Sequence, residues 1–314
     1  MKSYLKYKPG WMQMLVFGSL TIGLLCAVLL ITGLIPYLFN ISMAEFVSMD
    51  LSKPAVFSAV IASQIIGTII LFFMPGIIFG YLSDPNPFYF IGFKQPVPKS
   101  FYLIAVVVIV TAFPMVAWLS DMNHNVHLPK NMQGLEKFIR DSEAQINERI
   151  SSFLKMKSPV DLVKMLFFLA VFPAIAEEVF FRGVLQRLMI LLTKRPWVGI
   201  VITGIIFSAL HGQYLGFLPR LVLGILLGAL YWYSGSLWPG IIAHFFNNAT
   251  QVILVYYNPH IEEKNVNFSV LLITASTLLV IALTWWMVKI SNTRFAEVYD
   301  TDDFHIGPRD QYIA

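Results

Sequence analysis

Residues 158–192 read SPVDLVKMLFFLAVFPAIAEEVFFRGVLQRLMILL. About 20 apolar residues cross a bilayer as a helix, and this stretch is longer, yet it holds Glu177, Glu178 and Arg182 near its centre. An ionised side chain at mid-bilayer costs roughly 2.5–3.5 kcal/mol on insertion scales, so each is a functional-site candidate if the stretch spans a membrane. The rest of the chain settles that condition. Further apolar runs occupy about 11–39, 54–80, 101–120, 197–217, 218–234, 237–257 and 267–290. Eight such runs cannot share one water-soluble core.

Composition agrees. Of 314 residues, 57% are hydrophobic and 13% charged, with a mean hydropathy of +0.69, against roughly 25% charged in a soluble domain. A soluble enzyme, a secreted disulfide scaffold and a disordered chain are excluded. The runs are continuously apolar, whereas barrel strands alternate over about 10 positions. The fold expected is therefore all-α, a polytopic membrane helix bundle of about eight transmembrane helices. The first run, 29 residues after Lys2, Lys6 and Lys8, far exceeds a signal-peptide core of about 7–15 and is read as a retained anchor. Cys26 lies within it, so no intrachain disulfide can form.

The net charge of +4 and pI near 9.0 come from scattered basic residues rather than one patch, so no nucleic-acid partner is expected. Lys and Arg report topology instead. With the N-terminus inside, the inner side holds Lys2, Lys6, Lys8, Lys94, Lys99, Lys194, Arg195, Lys289, Arg294 and Arg309. The outer side holds Lys53, Arg220 and Lys264, plus six more in 121–157. The expectation is a multi-pass protein of the bacterial inner membrane with both termini cytoplasmic.

Three parts follow: N-terminal membrane helices over 1–157, a core over 158–257 carrying the polar motifs, and a last transmembrane helix with a polar tail over 258–314. Within the first, Leu135, Phe138, Ile139, Ile146, Ile150, Phe153 and Leu154 recur at helical spacing, predicting an amphipathic helix at about 131–155. It is read as lying on the bilayer interface, the sharper alternative being a lid over a site.

In the core the apolar pattern breaks at Glu177, Glu178 and Arg182, at His211, at Arg220, and at His244, Asn247 and Asn248. No Asp or Glu occurs from Trp197 to Tyr257, so a carboxylate serving this half comes from the glutamate pair or a neighbouring loop. Glu178 and Arg182 are i, i+4 and share a helix face, which assigns Glu178 to a buried ion pair and leaves Glu177 for chemistry. Glu177 stands 18 residues before Arg195 and His211 stands 16 after it, which puts them at nearly one height above the Lys194-Arg195-Pro196 turn. His244 starts only about seven residues into its helix. The three align, roughly 10–15 Å inside the face carrying that basic turn, if Arg187–Arg195 projects beyond the hydrocarbon.

A carboxylate and an imidazole converging on one water make a general-base pair. His244 and Asn248, again i, i+4, can donate to a developing oxyanion. Phe207, four residues before His211, can pack on its ring, and Asn247 points elsewhere, as a packing or helix–helix residue. The same Glu177, His211 and His244 could instead hold zinc with an open position. The chain lacks H-E-x-x-H and a visible carboxylate behind either histidine, so a metal-free site is favoured and zinc is the alternative.

These residues resemble the CPBP intramembrane protease family, the CAAX protease or Abi family. The likeness covers about 158–257, through E-E-x-x-x-R-G at Glu177, Glu178, Arg182 and Gly183, F-x-x-x-H at Phe207 to His211, and H-x-x-x-N at His244 to Asn248. It implies an eight-helix membrane fold in which the first glutamate and middle histidine activate water while the last histidine and asparagine stabilise the oxyanion. It also implies a membrane-associated protein or peptide as substrate. The family has often carried a metalloprotease label. Residues 1–157 hold no matching motif. The competing reading is a non-catalytic membrane immunity or binding protein that keeps the cluster to organise its helices. A proton-coupled transporter would also use buried Glu and His, but the paired broken helices it needs are not seen.

Overall fold

The computed structural model describes residues 4–259 and 268–292, the side chain of Arg149 excepted. Lys2, Lys264, Arg294, Arg309 and nearly all of the polar C-terminal tail lie outside the described residues. Among the described residues there is no strand. Each of the eight apolar runs is a helix: α1 (Gly10–Leu38), α2 (Pro54–Ser83), α3 (Phe101–His124), then, after the amphipathic α4 (Gln133–Phe153), α5 (Pro159–Thr193), α6 (Pro196–Leu210), α7 (Phe217–Ser234), α8 (Leu237–Tyr257) and α9 (Val270–Ile290). Six are long and apolar enough to cross a membrane by length and composition. Of the other two, α6 is only 15 residues long, and α8 carries His244, Asn247, Asn248 and Gln251. On α1 and α9 large apolar side chains such as Leu30 and Leu271 face outward, as lipid-facing surfaces do, and Cys26 is exposed among them.

Short connections make successive helices antiparallel and sort the loops into two ends. One end holds the residues around Asp84, the Gly92–Val97 loop and Gly235–Ser236. They are joined by Leu237 N–H to the Gly92 carbonyl at 2.9 Å, Val97 N–H to Ser234 O at 3.1 Å, and Ser236 Oγ to Lys94 O. Both ends of the described chain belong here, since Lys6 pairs with Asp84 and Ser291 donates to Tyr233 O. The opposite end holds α4 and residues 211–216.

The α5–α6 turn shows why the chain reverses where it does. Lys194 takes a left-handed conformation (φ 60°) with its N–H on Ile190 O at 2.8 Å, and Pro196 opens α6. Proline suits a first turn because its missing N–H would have no partner there. At the far end of α6, Gly212 adopts φ +67°, a conformation that only glycine enters without penalty. The helix therefore stops at Leu210, not at 217 as the apolar run predicted.

Close helix contact places the polar residues. Arg182 and Gln186, one turn apart on α5, donate at 3.0 Å each to the carbonyls of Gly224 and Gly228, one turn apart on α7. A Cβ on Gly228 would stand 2.6 Å from the Gln186 Oε1. Small residues thus let two backbones approach until a side chain reaches a main-chain acceptor. Helix α5 itself widens into π-helical turns at Leu166–Val171 and Val179–Gln186, and Glu177 and Glu178 sit between them. Such turns are frequent at functional sites.

Candidate active site

The cluster begins with the pair predicted from i, i+4 spacing. Arg182 Nη1 donates to Glu178 Oε1 at 2.6 Å, and neither side chain is exposed at all. Helix α8 adds a partner the sequence did not reveal: His244 Nδ1 lies 3.0 Å from the same Glu178 oxygen. With an arginine already donating to that oxygen, Glu178 is the acceptor and His244 Nδ1 carries a proton. The other ring nitrogen, Nε2, faces Glu177 Oε2 at 3.8 Å. That is an ion-pair separation but too long for a hydrogen bond. A His244 that donates to an oxyanion from Nε2 must therefore carry a proton on both ring nitrogens.

Glu177 is 15% exposed at its side chain, and its Oε2 is buried without a hydrogen-bond partner. Unpartnered buried oxygens are uncommon and call for a reason. Here the reason lies in the surroundings. Glu177 and His211 both line a cavity of about 460 Å³ whose walls are mainly apolar. His211 caps the end of α6, and its Nδ1 is 2.7 Å from Phe207 O. A carbonyl only accepts, so Nδ1 holds the proton and Nε2 keeps a lone pair for a water molecule. Phe207 does more than the expected packing on His211. Its ring lies 4.7 Å from the His211 ring, 5.8 Å from that of His244 and 4.7 Å from the Arg182 guanidinium.

Asn248 sits one turn beyond His244. Pro173 has no N–H to give the carbonyl of Leu169 four residues back, and Asn248 Nδ2 donates to that carbonyl at 3.3 Å. Asn247 points elsewhere as expected, into the wall of a separate cavity with Ile109 and Arg220, but it still touches its neighbour. Its Nδ2 donates to Asn248 Oδ1 at 3.1 Å and so orients the neighbouring amide. No hydrogen bond joins Asn248 to His244, Glu177 or His211 among the described residues.

Two expectations are corrected. The cavity does not lie just inside the face that carries Lys194 and Arg195. Leu237, where α8 begins, lies level with Gly183, a Cβ on which would be 3.7 Å from Leu237 Cδ1, so the end of α5 projects past α8 as anticipated. But His211 follows all 15 residues of α6, about 22 Å from the turn at 1.5 Å per residue, and the cavity extends toward the α4 end. Helix α4, expected to rest on the bilayer interface, instead turns Ile146, Ile150 and Phe153 into the cavity wall. The wall also takes Gln64, Thr68 and Phe72 from α2, where no motif signals a role.

A zinc ion would need Glu177, His211 and His244 to aim at one point. Among the described residues no three His, Cys, Asp or Glu side chains are gathered as a metal-ligand set, although Glu178 at the His244 Nδ1 supplies the carboxylate behind a histidine that the sequence did not show and leaves Nε2 free.

The packing allows a prediction at Gly240 on α8, where an added Cβ would stand 2.9 Å from Glu178 Oε2. Gly240→Ala must displace a carboxylate held by Arg182 and His244. The expected loss is about 1–3 kcal/mol, as for overpacked cores, read as a lower thermal midpoint in detergent. An unchanged midpoint would contradict this contact.

The fold and cluster define a polytopic helical membrane protein with a buried Glu–Arg–His site beside an apolar cavity. Residues 159–250 match the family model described as Type II CAAX prenyl endopeptidase Rce1-like. The matched segment contains Glu177, Glu178, Arg182, Phe207, His211, His244 and Asn248, and bears out the resemblance read from the three motifs. Over 86 residues the chain is 36% identical to the "Uncharacterized protein YpbD" of Bacillus subtilis (strain 168), which covers 26% of this chain and 41% of that protein. The chain thus spans less than half the length of that relative. No solved structure matches it.

Proposed function

We propose that the chain is an intramembrane endopeptidase that hydrolyses peptide bonds of a membrane-associated protein or peptide. The observation that carries the reading is the unpartnered Glu177 oxygen, which shares a cavity of about 460 Å³ with the free Nε2 of His211. The match of residues 159–250 to the CAAX endopeptidase model supports the reaction class.

In the mechanism, a water molecule in the cavity donates one proton toward Glu177 and a hydrogen bond to His211 Nε2. Its oxygen adds to the carbonyl carbon of the substrate as Glu177 takes that proton. The carbonyl π pair moves onto oxygen, where His244 Nε2–H and Asn248 Nδ2–H donate to the oxyanion. As the intermediate collapses, the C–N bond breaks and Glu177 returns its proton to the leaving nitrogen. Glu178 and Arg182 brace the site, since Glu178 holds the His244 ring while Arg182 anchors Glu178 to α7. An apolar-walled cavity set within the helices suits a substrate that arrives through the lipid bilayer. Both termini are read as cytoplasmic in a bacterial inner membrane, which turns the α4 end of the cavity away from the cytoplasm.

The purified protein in lipid vesicles should cleave membrane-anchored peptides at an undiminished rate in excess chelator, with new termini read by mass spectrometry. A rate lost to the chelator and restored by zinc would overturn the metal-free mechanism. Absence of any cleavage across a broad peptide panel would favour a binding role for the cluster.

A further inference from the structure

His211 is not held by a helix on its C-terminal side, so its position depends on the loop from Gly212 to Gly216. That loop is fixed from outside, in part by Asn123 on α3, which donates to Tyr214 O at 2.8 Å. On α7, Arg220 donates from Nη1 to Gln213 O and from Nη2 to Gln213 Oε1, both at 2.7 Å. Arginine has only donors, which fixes the Gln213 amide with its oxygen toward Arg220 and its nitrogen outward. That Nε2 then donates to Asn147 Oδ1 on α4 at 2.9 Å. Two residues further, Leu215 N–H donates to Glu143 Oε2, also on α4, at 2.9 Å.

Glu143, Ile146, Asn147 and Ile150 fall on one stripe of α4, at the i, i+3, i+4, i+7 spacing of neighbouring side chains on a helix. Along it, the two polar residues hold the His211 loop and the two isoleucines close the cavity. The start of α4 is separately fastened: Glu136 accepts from Leu128 N–H at 2.9 Å and pairs with His127 and Arg140. Those contacts, the Leu128 N–H first, hold its carboxyl down to about 2. The helix is therefore tied at its first turn and covers the site with its second half.

We infer that Glu143 and Asn147 are positioning residues for His211, so that α4 cannot lift from the cavity without losing both of its hydrogen bonds to the loop that follows the imidazole. Water activation is thereby confined to the covered state of the site. This inference rests on the hydrolytic reading given above.

The acceptor logic sets the test. Asn147→Ala and Glu143→Ala remove the oxygen that receives the loop's N–H, while Asn147→Asp and Glu143→Gln retain one. In vesicles with a cleavable peptide, the alanine variants should lose kcat roughly tenfold or more, as small misplacements of a reacting group do. KM should change less than kcat, because the wall side chains themselves are unaltered. The acceptor-retaining variants should recover most of the rate. A second readout needs no substrate. In a Cys26→Ser background, Thr68→Cys places a thiol in the cavity wall, and its labelling by a water-soluble maleimide should quicken several-fold when Asn147→Ala is added. Equal kcat across both series, or equal labelling rates, would overturn the inference. If the wild type shows no Glu177-dependent cleavage, the hydrolytic reading fails, and the labelling rates alone decide whether α4 is held over the cavity by these residues.

Discussion

Glu177→Gln should abolish cleavage while leaving the helices assembled. Glutamine has nearly the same shape but cannot take a proton from water, and general-base catalysis contributes about 10²–10⁴-fold. Because one residue serves as base and then as acid, both steps fail together and the loss should reach the upper end of that range. Stability should change little, since the Glu177 Oε2 has no hydrogen-bond partner to lose. A variant that folds yet does not cut separates a catalytic carboxylate from one that merely organises helices. Cleavage that persists in Glu177→Gln would remove the residue from the mechanism.

The largest stability effect is expected one helical turn away. Arg182→Met leaves Glu178 charged and fully buried, with only His244 to answer it. Deleting one member of a buried pair costs about 3–5 kcal/mol, because an uncompensated charge remains. Arg182 also donates to Gly224 O and stacks on Phe207, so helix packing is lost as well as charge balance. The double variant Arg182→Met with Glu178→Gln should recover part of the loss, because the stranded charge is then gone. Thermal unfolding in detergent or lipid reads both. If Arg182→Met is as stable as the wild type, or the double variant is no better than the single, the ion pair does not brace the site.

The contrast between the two glutamates shows how far sequence reading reaches here. Adjacent residues on a helix point about 100° apart, and the i, i+4 spacing to Arg182 was enough to separate Glu178, which Arg182 holds, from Glu177, whose Oε2 has no hydrogen-bond partner. The eight apolar runs likewise became eight helices, because a span is a local property of composition. Contacts between distant segments were less legible. Nothing in the chain signals that His244 meets Glu178 across 66 residues. That contact depends on how far α8 is set back from the end of α5, a register fixed by tertiary packing rather than by local pattern. The cavity wall is another example. The stripe at Ile146, Ile150 and Phe153 was visible as an amphipathic face, but an apolar face reads the same whether it meets lipid or protein. The extent of α6 was misread because Gly212 lies among apolar neighbours and its left-handed turn leaves no mark in hydropathy. Asn247 was set aside from the site because neighbouring helical positions diverge, yet a side-chain amide is long enough to reach Asn248.

The most direct measurement compares new protein N-termini in membranes from cells expressing the wild type or Glu177→Gln at matched abundance. N-termini that arise only with the wild type, in proteins or peptides of the membrane, are the predicted result and would identify substrates at the same time. Identical sets of N-termini at deep coverage would contradict peptide-bond hydrolysis at this site.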